Sequence, residues 1–187
     1  REDFPAVGDW VAMSCYGDDF AIIHSVFPRQ SLLSRRSPGR SGEVQIIAAN
    51  VDFALLVQAL DRDFNINRFG RYLTICNSSG ITPLIVLSKR DLISAERLAE
   101  VLSDLSKAFP SIPVVVVSSE TMEGYAELQA LLKKGKTFSL LGSSGVGKST
   151  MINNLSGSNM LETNSISDFS GKGRHVTTHR ELIVLES

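Results

Sequence analysis

Apolar positions along the chain follow two rhythms. In the first, FALLVQAL (53–60), PLIVLSK (83–89), PVVVVSS (113–119) and TFSLLG (137–142) are short runs with few charges. Such runs suit strands buried on both faces of a parallel sheet. The second rhythm repeats every three or four residues. Ser94 is placed to cap a helix in which Leu98, Leu102, Leu105 and Phe109 share one face, with Pro110 as the stop. Leu128, Leu131 and Leu132 define another apolar face, ending at Lys133, Lys134 and Gly135, a helix C-terminal signature. Core packing accounts for these leucines. Strand and helix alternate, so the predicted class is α/β, doubly wound around a mostly parallel sheet.

The first forty-odd residues read differently. VGDWVAMS and FAIIHSVF are short alternating or apolar runs separated by YGDD, a turn signal, and they predict a β-meander. PRQSLLSRRSPGRSG (28–42), rich in Ser, Pro, Gly and Arg, reads as a loop or linker. A boundary is expected at about residue 45, between a small β domain (1–45) and the α/β domain (46–187). With 187 residues, 43% of them hydrophobic, there is enough material to bury a core of one domain plus a smaller piece. The net charge of −1 argues against wholesale non-specific nucleic-acid binding and leaves room for a local basic patch. Cys15 and Cys76 have no metal-ligand spacing and read as free thiols of a reducing cytosol. No apolar run approaches twenty residues and REDFPAVGDW has no signal-peptide pattern, so no membrane partner is expected. The chain lacks an initial Met and ends on LIVLES, an apparent strand, so both ends are expected to be cut.

Candidate chemistry enters at GSSGVGKST (142–150), which fills the pattern G-x-x-x-x-G-K-S/T between the run TFSLL and the helical stretch KSTMINNLS. The glycines let the backbone curl until successive N–H groups face phosphate oxygens, and the helix N-terminus adds its positive end. The predicted phosphate-binding residues are Gly142, Ser143, Ser144, Gly145, Val146, Gly147, Lys148, Ser149 and Thr150. Lys148 would reach the β- and γ-phosphates, and the Ser149 hydroxyl would ligate Mg2+. The alternative is a glycine-rich strand–helix turn without a ligand.

Such a loop normally opens a nucleotide-binding domain, yet only residues 151–187 follow it. The missing pieces lie upstream. PLIVLSKRDL ends in Ser88, Lys89, Arg90 and Asp91, close to the Asn/Thr-Lys-x-Asp signature of GTPases. On this reading Asp91 accepts hydrogen bonds from the ring N1–H and exocyclic amine of guanine, and the Lys89 stem lies along the base plane. Adenine does not present those two donors together, so the carboxylate would go unpaired with it. Ser118 and Ser119, at the end of the next run, stand where GTPases place a short loop whose backbone N–H contacts the guanine carbonyl. Both segments fall at C-terminal strand ends, the edge where open α/β sheets bind ligands. The alternative is a Lys and an Asp that meet only water. A sheet built from non-sequential strands tolerates cutting in one loop and rejoining elsewhere, so a permuted chain would keep the same pocket.

With these motifs in this order, the sequence resembles the circularly permuted GTPases of the RsgA/YjeQ type, the ribosome small subunit-dependent GTPases. The resemblance covers VGDWV, IIAANVDFALLV, LSKRDL followed by GSSGVGKST, and GKGRHVTTHREL. It implies a circularly permuted P-loop GTPase domain preceded by a partial OB-fold β-barrel. It also implies hydrolysis of GTP to GDP and phosphate, stimulated by the RNA and proteins of the small ribosomal subunit, in late maturation of that subunit. A monomer in the bacterial cytoplasm is expected, using GTP/GDP and Mg2+. Zinc is expected only in the family's C-terminal domain, which is absent from this chain. The resemblance sets the first switch on GRHVTTH (173–179), with Thr178, or next to it Thr177, as Mg2+ ligand and γ-phosphate sensor. His175 is a candidate for orienting water, against the alternative of an exposed loop histidine.

Departures from the family's pattern carry expectations of their own. Ser88 replaces the usual Asn or Thr, so the hydrogen bond tying this strand end to the phosphate loop relies on a shorter side chain. Val176 replaces a threonine in the switch, and no DxPG segment follows LIVLES. The chain alone is therefore expected to bind nucleotide and to hydrolyse it poorly. No glutamine is an evident water-positioning residue, which predicts slow intrinsic turnover and an external activator. Arg29, Arg35, Arg36 and Arg40 stand without acidic neighbours in 28–42 and form a candidate grip on RNA phosphates, against a solvated linker. Trp10 is expected in a core, with base stacking as the alternative. Two rival functions remain: a P-loop ATPase or kinase with an accidental SKRD, and a nucleotide-gated RNA-binding module without turnover.

Overall fold

The computed structural model describes residues 4–17, 19–36, 44–61, 64–157, 161 and 180–185, with backbone pairing alone at Arg35 and Arg36 of one strand end. Its centre is a four-stranded parallel sheet of β5 (Phe53–Ala59), β6 (Thr82–Ser88), β7 (Val114–Val116) and β8 (Phe138–Leu141), in the order β7-β6-β5-β8. These strands coincide with the four low-charge runs, β6 starting one residue earlier at Thr82. Their side chains alternate between two apolar layers, because successive residues of a strand point to opposite faces. Ala54, Leu56, Ile85 and Leu87 pack on one face with Phe69, Leu73 and Cys76 of α1 (Asn67–Ser78) and Val101 and Leu105 of α2 (Ala95–Ala108). Leu55, Val57, Val86 and Val115 pack on the other with Tyr125 and Leu128 of α3 (Tyr125–Leu131) and Met151 of α4 (Lys148–Ser156). The sheet is doubly wound.

Local signals set several boundaries. Ser94 Oγ accepts from Arg97 N at 3.3 Å and starts α2, as an N-cap serine does. Leu105 is fully buried, and Leu98, Leu102 and Phe109 pack partly buried against the same cluster. On α3, Leu128 is buried and Leu132 packs on its cluster, but Leu131 is 36% exposed. The predicted stripe is thus narrower than drawn: a helix this short turns one residue of a consecutive leucine pair away from the sheet.

The N-terminal segment forms two antiparallel pairs, β1 (Val11–Cys15) with β2 (Ala21–Val26) and β3 (Leu32–Arg36) with β4 (Val44–Ala49). β3 corrects the reading of 28–42 as loop. Leu33 is fully buried in the cluster that holds Phe69, so one apolar anchor inside a Ser/Arg-rich stretch holds a strand against α1. Residue 45 lies inside β4. Arg29 is turned inward: its guanidinium donates to both carboxylate oxygens of Asp9, each at 2.8 Å. That pairing holds the Asp9 carboxyl below the usual carboxylate range. Trp10 is 75% exposed, which corrects its expected place in a core. Arg40, His175, Thr177 and Thr178 lie outside the described residues.

At the N-terminal end of the sheet, Asp52 pairs with Lys136 Nζ at 2.8 Å and accepts from Thr137 N at 2.9 Å. These groups line a polar cleft of about 300 Å³ whose partners satisfy one another. Among the described residues no helix is long and apolar enough to cross a membrane. Phe69 packs edge-on against Phe109 and tilted against Phe64. Phe69→Ala is expected to lower folding stability by about 3–5 kcal/mol, read as a reduced urea midpoint with the slope unchanged.

Candidate functional site

The chain order of the strands and their order in space reverse at β5. Its successor β6 lies on one side, while β8 lies on the other. Such a reversal opens a crevice at the C-terminal strand ends. GSSGVGKST leaves the C-terminal end of β8 and SKRD leaves that of β6, so two strand spacings, roughly 10 Å, separate their roots.

The glycines of the phosphate loop have separate jobs. Gly145 (φ +77°) and Gly147 (φ +92°) take left-handed conformations, and Gly147 passes directly into α4. Gly142 sits against the neighbouring strand, where a Cβ would collide with Val57 O. Val146 is buried, whereas Ser144 and Gly145 are exposed at the tip. Lys148 donates from Nζ to Gly142 O at 2.9 Å and Ser143 O at 2.6 Å, so its ammonium lies beneath the curl. Burial holds its pKa below the ordinary lysine value. Ser149 and Thr150 follow in the first turn of α4, hydroxyl-bearing residues next to the loop's N–H groups. A hydroxyl oxygen beside phosphate oxygens is a hard donor set that fits Mg2+, an ion that keeps several waters and takes few protein ligands. Among the described residues no cluster of three His, Cys, Asp or Glu makes an all-protein metal cage.

Ser88 links the two motifs. It is 3% exposed, and its Oγ donates to Val146 O at 2.6 Å, with Gln58 O at 3.3 Å. The hydroxyl therefore spans from the end of β6 to the phosphate loop although it is shorter than an asparagine side chain. Its reach equals that of a threonine hydroxyl, so the expected shortfall applies to asparagine alone. Beyond it Lys89 adopts a left-handed backbone (φ +59°) and Arg90–Leu92 form a 3₁₀ turn. Arg90 N donates to Val117 O and its guanidinium to Ile93 O at 2.6 Å, so Arg90 braces the turn internally. Asp91 is exposed, and its carboxylate accepts from Ser118 Oγ at 2.5 Å. Ser118 is fully buried and also accepts from Glu120 N and Thr121 N. Ser119 shares a hydrogen bond with the Tyr125 hydroxyl at 2.8 Å. The structure thus brings Ser88, Asp91, Ser118 and the phosphate loop to one sheet edge. Arg29 stands apart, held by Asp9 in the N-terminal segment.

Two neighbours escaped the sequence reading. Gln58, 2% exposed in β5, donates from Nε2 to Asn65 O and accepts from Asn65 N, both at 3.1 Å. Asp61, just past β5, pairs with Lys89 Nζ at 3.1 Å. The available signal was one amide inside an otherwise apolar run, followed by a carboxylate at the ligand edge.

The fold and this edge define a circularly permuted P-loop GTPase architecture. It is shared with a crystal structure of YjeQ from Thermotoga maritima: TM-score 0.63, 27% identity, 80% of this chain and 50% of that one. YloQ, described as a circularly permuted GTPase, superposes with TM-score 0.59 at 24% identity, over 82% of this chain and 50% of that one, a likeness of fold. The RsgA GTPase family model matches residues 26–187, and the chain belongs to that family. It is 46% identical over 182 residues to small ribosomal subunit biogenesis GTPase RsgA 2 of Lactiplantibacillus plantarum, covering 97% of this chain and 51% of that protein. It is 42% identical over 194 residues to the Opitutus terrae RsgA, with 99% and 52% covered. The chain spans about half the length of these relatives.

Ser88→Ala would leave Val146 O without its buried donor. It is expected to lower stability by ~1–3 kcal/mol and to weaken nucleotide binding, measured by thermal unfolding and by titration with a fluorescent nucleotide.

Proposed function

We propose that this chain is the guanine-nucleotide core of a GTPase that serves maturation of the small ribosomal subunit. The observation that carries the reading is the Ser88 Oγ–Val146 O bond, which joins the base-reading segment to the phosphate loop despite their reversed order in the sequence. The names of the RsgA relatives support the ribosomal role. In the proposed site Asp91, oriented by Ser118, accepts from guanine N1–H and its exocyclic amine. The loop amides and Lys148 receive the phosphates, exchanging the carbonyls of Gly142 and Ser143 for phosphate oxygens. Ser149 and Thr178 would hold Mg2+, which would supply neutralisation of phosphate charge. Water attacks the γ-phosphorus in line. A new P–O bond forms as the bond to the β–γ bridging oxygen breaks, and the water's protons pass to the products. The chain's contribution is positioning and neutralisation of charge. His175 belongs to the proposal as an orienter of that water.

The partial OB-fold barrel of residues 1–45, the permuted domain of 46–187, a cytoplasmic setting and a monomeric state belong to the same reading. RNA contact is proposed through Arg35, Arg36 and Arg40; Arg29 would join only by leaving Asp9.

Competition titration tests the nucleotide. GDP should displace a fluorescent guanine nucleotide far better than ADP does, and Asp91→Asn should shift preference toward xanthosine diphosphate, because an amide donates where the carboxylate accepted. Equal displacement by ADP would favour an ATPase or kinase. For the full-length protein, phosphate release should rise on adding small ribosomal subunits; no rise would favour a binding module without turnover.

A further inference from the structure

Lys89 stands two residues from Asp91, yet its ammonium goes to a different carboxylate, Asp61, on another loop. Leu60 N donates to Ser88 O at 2.8 Å, continuing the β5–β6 ladder one step past the strands and setting Asp61 beside Lys89. The loop after β5 is then pinned by Gln58, whose buried amide bonds both backbone groups of Asn65 as a neighbouring strand would. On its own side Lys89 is fixed by its left-handed backbone, between Ser88 bonded to Val146 and Arg90 bonded to Val117. Both side chains of the pair are part-buried, 23% exposed for Lys89 and 30% for Asp61. The ammonium is therefore anchored at one end of a flexible stem and the backbone at the other.

We infer that Asp61 is a positioning residue for the base: it holds the Lys89 stem across the mouth of the β5–β6 edge, where a purine plane would lie on it, and keeps the ammonium away from Asp91. The inference rests on the guanine-site reading above. A lysine carries four rotatable side-chain bonds, and ordering it only when ligand arrives opposes binding. Asp61 orders it beforehand. Because the stem touches the face of the ring and not its edge, the contact serves any purine whose N1–H reaches Asp91, and the exocyclic amine plays no part.

Asp61→Asn, Asp61→Ala and Asp61→Glu in the full-length protein, titrated with GDP, inosine diphosphate and pyrophosphate, provide the test. Asp61→Asn and Asp61→Ala should bind GDP and inosine diphosphate about two- to tenfold more weakly, the range set by freezing one rotamer-rich side chain. The ratio between the two nucleotides should stay at the wild-type value, pyrophosphate affinity should not change, and Asp61→Glu should recover most of the loss. Melting temperature should stay close to wild type, because a part-exposed ion pair contributes little to folding; the isosteric Asn variant keeps the test valid if the Ala variant folds poorly. Unchanged GDP affinity in Asp61→Asn, or an equal loss for pyrophosphate, overturns the inference. If wild-type protein binds ADP as tightly as GDP, the guanine reading itself fails, which is a separate result.

Discussion

The hydroxyl of Ser88 and the carbonyl of Val146, 58 residues apart in sequence, meet at 2.6 Å in the interior. Ser88 and Val146 are both buried, so the shorter of the two bonds made by this hydroxyl supplies a donor to a carbonyl held away from water. Their bond fixes the height of the phosphate loop against the end of β6 and thereby relates Asp91 to Lys148. Around it the remaining strand-end contacts fall into place: Leu60 on Ser88, Arg90 on Val117, and Val117 on Leu87. The site is a seam of backbone bonds across the C-terminal edge, closed by one side chain.

That seam explains why the order of the motifs along the chain matters little. In a parallel sheet every strand delivers its loop to the same edge, whichever strand is made first. β5 lies between β6 and β8 and presents Val57 O to Gly142 on one flank and Ala59 to Ser88 on the other. Two apolar layers, one under α1 and α2 and one under α3 and α4, hold the three strands in register. Packing in those layers depends on which residues alternate, and alternation survives permutation.

Much of this was legible in the sequence because it is local. Four low-charge runs became four parallel strands, Ser94 capped α2, and the phosphate loop followed β8 into α4. What escaped depends on partners distant in sequence. Leu33 looks like an accident in a serine- and arginine-rich stretch until it packs into the cluster that holds α1. Leu131 reads as core from its neighbours, but its burial depends on the direction in which a seven-residue helix faces. Trp10 has the size of a core residue, yet among the described residues it stands largely exposed. Gln58 and Asp61 belong to no motif, and what they do in the fold shows only in their partners, Asn65 for Gln58 and Lys89 for Asp61.

The curl of the phosphate loop is maintained by bonds within the chain: Lys148 on two of its carbonyls, Ser88 on a third, and Gly142 wedged against Val57. A loop shaped by its own framework has little configurational freedom left to surrender when an anion arrives. Encounter, and the trading of one set of oxygens for another around a single ammonium, would then set the pace of capture, with no slow refolding step in between.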